Sequence, residues 1–186
     1  MLFVTRFQQA APGDGFESRW TRVVPSSRNV DAVLAYARRR APADMAEDVA
    51  AETFLICWRR LDRVPENALP WLYAVARKTL ANQRRAAVRR ATTQSALEPS
   101  SGAGSALAHD PTLRVAFARL GERDQELLAL VAWEGLSLRE AAASLGCSPV
   151  ACRVRFHRAK RRLAQHLEQL DAPRPIRRPH AQGVAR

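Results

Sequence analysis

Apolar residues recur at helical spacing along most of the chain, and the pattern lapses in a few short places. Val30, Val33, Leu34 and Ala37 fall at i, i+3, i+4 and i+7, so a helix begins near Arg28. Arg38, Arg39 and Arg40 close it, where cations favour the C-terminal pole, and Pro42 blocks its continuation. Ala46, Ala50, Phe54, Trp58 and Leu61 mark a second helix. Asp44 reads as its N-cap, with Glu47 completing a capping box. Residues 63–69 form a connection. Pro70 then suits the first position of a third helix, whose Leu72, Val75, Ala76, Thr79 and Leu80 face the other two.

The second half repeats the logic with sharper punctuation. Asp110 and Pro111 open a helix carrying Leu113, Ala116, Phe117 and Leu120, and Gly121 ends it. Leu127, Leu128, Leu130, Val131 and Trp133 make the next helix apolar, and Gly135 stops it. Ser137 and Glu140 form a capping box before Leu138, Ala141, Ala142 and Leu145. Gly146 then supplies the sharp turn of a helix-turn-helix. Ser148 caps the last helix, Pro149 is its first residue, and Cys152, Phe156, Ala159 and Leu163 are its buried stripe.

The fold class is therefore all-α, with two small helical domains. A three-helix unit spans residues 28–90 and a four-helix unit with the helix-turn-helix spans 111–167. Residues 91–110, rich in Ser, Gly and Ala, read as a flexible linker. Residues 1–27 are poorly patterned. Phe16, Trp20 and Val23 fit either a short amphipathic piece or disorder. The proline- and arginine-containing tail, 168–186, is expected to be disordered and basic.

Charge narrows the function. Lys+Arg is 30 against Asp+Glu 18, a formal +12 that favours a polyanionic partner. No apolar run reaches the length of a membrane span, and the first residues lack a secretory pattern, so the expected location is the cytoplasm, with no membrane partner. The three cysteines do not form a disulfide framework. Cys147, Cys152, His157 and His166 lack zinc-site spacing, and Cys152 falls on the core side, so no metal is expected. No phosphate loop, nucleophile elbow or catalytic carboxylate pair occurs, so neither an enzyme, a cofactor nor a small-molecule substrate is expected.

Three surfaces carry candidate chemistry. Opposite the buried stripe of the last helix stand Val150, Arg153, Val154, His157, Arg158 and Arg161. The first turns of such a helix reach base edges in the major groove, and Arg153 or Arg158 can grip guanine in two places. Lys160, Arg161 and Arg162 suit phosphates. The helix from Pro70 has no acidic neighbour between Glu66 and Glu98. There Lys78, Arg84 and Arg85 suit a DNA backbone and Asn82 a base edge. Trp71 and Tyr73 near the basic face suit stacking on unpaired bases, although Trp71 fits partial core burial equally well. Glu47, Asp48 and Glu52 are either helix-solubilising charges or a protein docking edge.

With these surfaces placed, the chain resembles the extracytoplasmic-function group of bacterial sigma factors. AEDVAAETFLICWRRLD (46–62) resembles the helix of the family's second region that binds the clamp helices of RNA polymerase. ALPWLYAVARKTLANQRR (68–85) resembles the promoter-melting and minus-ten-reading segment. Residues 120–163 resemble the fourth region, which reads the minus-thirty-five element. The resemblance implies promoter-specific initiation with core polymerase, through the beta-prime clamp helices and the beta flap, under control of an anti-sigma factor. By position it assigns Asp48, Glu52, Arg59 and Arg60 to polymerase. Trp71, Lys78, Asn82, Arg84 and Arg85 fall to the melted minus-ten strand, and Val150, Arg153, Val154, His157, Arg158 and Arg161 to the minus-thirty-five groove. Ala51 and Lys78 depart from the glutamine and asparagine common at those places, and the usual aromatic-rich start is not recognisable before Arg28. The competing reading is a helix-turn-helix regulator that acts without polymerase and leaves Asp48 and Glu52 without a purpose.

Overall fold

A computed structural model describes residues 20, 21, 23, 27–93 and 110–171. Helix α1 is Ser27–Arg38, α2 Ala43–Arg59, and α3 Ala68–Thr93, with a single 3-10 turn at Leu61–Arg63 between α2 and α3. Helix α4 is Pro111–Ala118, α5 Glu122–Ala132, α6 Leu138–Leu145 and α7 Pro149–Asp171. No strand occurs among the described residues.

The punctuation of the second half acts as the residue types dictate. The Asp110 carboxylate accepts from the backbone N–H of Thr112 and Leu113 at 2.9 and 3.0 Å. Ser137 and Glu140 cap each other: Ser137 N–H donates to Glu140 Oε2 at 2.8 Å, and Glu140 N–H donates to Ser137 Oγ at 3.3 Å. The Ser137 hydroxyl, which donates to Glu140 Oε2 at 2.6 Å, and the Ser137 N–H together hold the Glu140 carboxyl below its ordinary pKa. Gly146 sits at φ 68° and ψ 37°, a left-handed conformation that other residues adopt only at a cost. Ser148 Oγ accepts from Ala151 N–H at 3.2 Å and opens α7.

Several boundaries differ from the sequence reading. Asp44 is not the N-cap of α2: Pro42 is, no side chain caps the helix, and Asp44 lies in its first turn. Glu47 pairs instead with Arg38 at 3.2 Å. Helix α3 starts at Ala68, before Pro70, and runs to Thr93, past the expected linker start. Helix α7 continues to Asp171, so residues 168–171 are helix and not tail. Most of the expected linker (94–109), the tail beyond Asp171 and residues 1–19 lie outside the described residues. Within the segment before Arg28, Val23 is buried, and its carbonyl accepts from Asn29 Nδ2 at 2.7 Å. Trp20 meets the Trp58 ring edge-on at 4.9 Å.

The largest difference concerns the core. One apolar cluster takes residues from both halves: Tyr36, Leu72 and Leu80 join Leu127, Leu130, Leu136, Ala141 and Ala142. The α3–α6 contact is among the most extensive in the molecule. Small side chains at Ala141 and Ala142 allow that close approach, because the distance between helix axes follows side-chain size at the contact. A second, smaller cluster of Phe117, Leu120, Leu128 and Ala159 lies wholly within the second half, where it seats α4 and α5 on α7.

Candidate nucleic-acid and polymerase interfaces

Helix α7 displays the basic face expected of it. Cys152 and Ala159 are fully buried, with Phe156 and Leu163 half-buried beside them. Opposite them Arg153, Val154, His157, Arg158 and Arg161 are exposed, and Val150 is 74% exposed. Two bare valines among arginines fit a surface that meets base edges, because the thymine methyl offers an apolar contact in the major groove. Arg162 is committed elsewhere: its Nη1 donates to Asp124 Oδ2 at 2.6 Å, and Arg155 approaches the same carboxylate at 3.9 Å. Asp124 is itself buried, in the first turn of α5, so it braces the recognition helix from behind. Sequence reasoning missed Asp124 because nothing local marks an acidic first-turn residue as a tertiary ion-pair partner.

On α3 the five candidate residues divide. At 3.6 residues per turn, Trp71, Lys78, Asn82 and Arg85 share one stripe, whereas Arg84 falls on nearly the opposite side. Lys78, Asn82 and Arg85 are exposed, and Arg85 Nη2 donates to Asn82 Oδ1 at 2.6 Å. Trp71 is half-buried against the core. Arg84 reaches back to the Arg40 carbonyl at 2.5 Å, and Arg77 reaches the Ser144 carbonyl at 3.5 Å. Tyr73 is not near the basic face. It is 2% exposed, its ring lies 5.0 Å from Tyr36, and burial pushes its phenol up to about 12. The error came from treating a tyrosine beside a basic run as exposed, when its position faces the core of both halves.

Helix α2 aligns Asp48, Glu52 and Arg59 on one exposed face, with half-buried Leu55 between them. Arg60 is also exposed but sits at the C-cap, outside the helical register. Leu55 was not singled out in the sequence because it reads as one more core residue. Its place between exposed charges gives the face an apolar centre and a charged rim, the usual anatomy of a protein contact. A separate apolar groove of about 440 Å³ on the second half is lined by Leu113, Phe117, Leu128, Trp133, Phe156 and Leu163, among others.

Among the described residues there is no group of three or more His, Cys, Asp or Glu that could hold a metal ion, and no helix is long and apolar enough to cross a membrane.

Residues 27–90 match the family model "Sigma-70 region 2", and residues 112–163 match "Sigma-70, region 4". The chain is 32% identical to the RNA polymerase sigma factor CarQ of Myxococcus xanthus, across 89% of its own length and 96% of that protein's. The chain belongs to the ECF sigma factors. This sigma factor is also 30% identical to the ECF RNA polymerase sigma factor SigL of Mycobacterium tuberculosis, over 74% of its own length and 82% of SigL. Against RfaY of Xanthomonas campestris it is 29% identical and spans 42% of that longer protein. Two solved structures share its fold. The sigma factor RpoE of Bartonella quintana, in complex with the anti-sigma factor NepR, matches with a TM-score of 0.57 at 24% identity, over 86% of this chain and 99% of that one. CnrH, in complex with the cytosolic domain of CnrY, matches with a TM-score of 0.51 at 24% identity, over 83% and 88%. A sigma factor directs transcription initiation, and both regions are present here in order. A regulator that works without polymerase needs only the second of them.

Proposed function

We propose that this ECF sigma factor binds core RNA polymerase through the exposed face of α2 and reads its promoter at two points, one on α3 and one on α7. The observation that carries the reading is the separation of three surfaces of different chemistry on one chain: acidic and apolar on α2, basic with an aromatic on α3, basic with bare valines on α7. Asp48 and Glu52, with Arg59 and Arg60 at the end of the helix, meet the beta-prime clamp helices, and Leu55 supplies apolar area between them. Trp71, Lys78, Asn82 and Arg85 receive the melted minus-ten strand, and Arg84 joins them only after leaving the Arg40 carbonyl. Val150, Arg153, Val154, His157, Arg158 and Arg161 enter the minus-thirty-five groove. The apolar groove of the second half is the surface available to the beta flap. Melting draws on preferential binding of unpaired bases, with no hydrolytic step. The protein works in the cytoplasm, where polymerase and promoter are, and an anti-sigma factor, such as the one bound to its Bartonella relative, holds it inactive until needed.

Adding the protein to core polymerase with a promoter library tests this directly: discrete transcripts are expected. Asp48→Ala with Glu52→Ala should weaken polymerase association by about tenfold, a loss of about 1.4 kcal/mol, while duplex binding by α7 stays unchanged. Unaltered polymerase affinity in that variant would remove α2 from the contact.

Arg158→Ala is expected to relax base preference at one upstream position, at about 1–3 kcal/mol, as read by binding to a set of single-base-substituted duplexes. A uniform loss across all sequences would make Arg158 a phosphate contact instead.

A further inference from the structure

The first and second halves meet along a seam, and beside it lies a cleft of about 360 Å³. Its surroundings are charged. The Tyr36 hydroxyl on α1 donates to Glu126 Oε1 on α5 at 2.7 Å. Arg40 Nε donates to Glu126 Oε2 and its Nη1 to Glu134 Oε1, both at 3.0 Å, and Arg39 also pairs with Glu134. These two arginines and two carboxylates offset one another.

The cleft holds more positive charge than those pairs consume. Arg77 and Arg84 of α3 and Arg123 of α5 also line it, against one further carboxylate, Glu122. Three arginines against one glutamate leave two positive charges over. Among the described residues no ion pair engages Arg77, Arg84 or Arg123. Arg77 and Arg84 reach backbone carbonyls, those of Ser144 and Arg40.

Unused donors point the same way. The Arg40 side chain is only 10% exposed, and its Nη2 has no hydrogen-bond partner in the protein. Arg77 Nε is buried without a partner as well. Both side chains line the cleft. A guanidinium nitrogen cut off from water and from any acceptor is costly, more so than a neutral donor. A ligand that brings acceptor oxygens removes that cost. Leu80, Phe117, Trp133 and Leu145 supply an apolar part of the lining.

The chemistry narrows the ligand. Guanidinium forks match phosphate oxygens two bonds at a time. A phosphate monoester carries about −1.5 to −2 charge at neutral pH, which answers the charge left over. Small-molecule sites span roughly 300–1,000 Å³ and combine apolar walls with a few convergent polar groups. A cleft of this size admits a molecule of nucleotide size and is too small for a nucleic-acid strand.

We propose that the cleft beside the seam is a binding site for a small phosphate ester, with its phosphoryl oxygens on Arg40 and Arg77 and its carbon part against Phe117 and Trp133. The site goes beyond the promoter-reading role, and measuring it needs neither polymerase nor DNA.

Isothermal titration calorimetry of the full-length protein in phosphate-free buffer tests it. The probes are adenosine 5′-monophosphate, glucose 6-phosphate and inorganic phosphate, with succinate as a dianion that lacks phosphorus. At least one of the two esters should bind once per chain, more tightly than inorganic phosphate, and the tighter of them tells a nucleotide from a sugar phosphate. Arg77→Gln should weaken that binding by about tenfold or more, as the loss of a hydrogen bond between charged groups does. Arg123→Gln, at an exposed position in the first turn of α5, should weaken it by less, and it decides the matter if Arg77→Gln does not fold. Arg139→Gln, an exposed arginine of α6 outside the cleft, should leave it unchanged, which controls for the general attraction of a +12 chain for anions. No saturable binding of either ester at millimolar concentration overturns the site. So does binding that falls equally in the Arg139→Gln and cleft variants, because that is diffuse attraction. Succinate bound as tightly as the esters overturns the assignment to phosphate, and inorganic phosphate bound as tightly overturns the part given to Phe117 and Trp133.

Discussion

Phe117→Ala is expected to destabilise the second half by about 3–5 kcal/mol, the range for deleting a buried phenylalanine. Phe117 is 4% exposed and anchors the cluster that also holds Leu120, Leu128 and Ala159. Its ring meets Trp133 edge-on at 5.3 Å, a geometry that adds to simple burial. Helix α4 has only 8 residues, too short to persist on propensity alone, so its place depends on this anchor. The same cluster supports α7 from behind through Ala159. The variant should therefore lose both stability, by more than about 10 °C in Tm, and affinity for upstream duplex, while α2 still associates with polymerase. Denaturant titration and duplex binding measure the two effects. A loss below about 1 kcal/mol would mean that α4 is not held by this contact.

Leu130→Ala has a comparable expected cost, about 2–5 kcal/mol, but its effect should spread further. Leu130 is fully buried in the cluster that draws on both halves. Hydrogen exchange should report weakened protection not only in α5 but also along Leu72–Leu80 of α3, on the far side of the seam. Phe117→Ala should leave that α3 segment unaffected. If Leu130→Ala leaves it unaffected too, the two halves are independently stable and the shared cluster contributes nothing across the seam.

How far the sequence was legible follows from how local each signal is. The capping of α4, α6 and α7 by Asp110, Ser137 and Ser148, and the left-handed Gly146, were readable because each depends on residues within four positions. The basic face of α7 was readable because helical spacing alone separates Cys152 and Ala159 from Arg153, His157 and Arg158. Asp44 misled because a residue of N-cap type lay two positions inside the helix, and Pro42 took the role. Tyr73 was misplaced, and the reach of Arg84 to the Arg40 carbonyl was not foreseen, for a shared reason. Each meets a first-half residue about forty positions earlier, Tyr36 and Arg40 respectively, and no local rule announces a partner so distant in sequence. Leu55 and Asp124 were overlooked because their roles depend on which neighbours surround them in space.

The amino-acid sequence by itself determined the helices, their order, the helix-turn-helix and the charge carried by each exposed face, because these follow from short-range periodicity and capping. It marked residues 91–110 as a division between two units, and composition could support no more than that. Only the tertiary structure decided that the units close on one another. Arg39 and Arg40, which complement their own helix pole in the sequence, find Glu126 and Glu134 instead, and two alanines on α6 admit α3 into a common core. Such pairings depend on the distance between helices after folding, a quantity that no stretch of local sequence encodes.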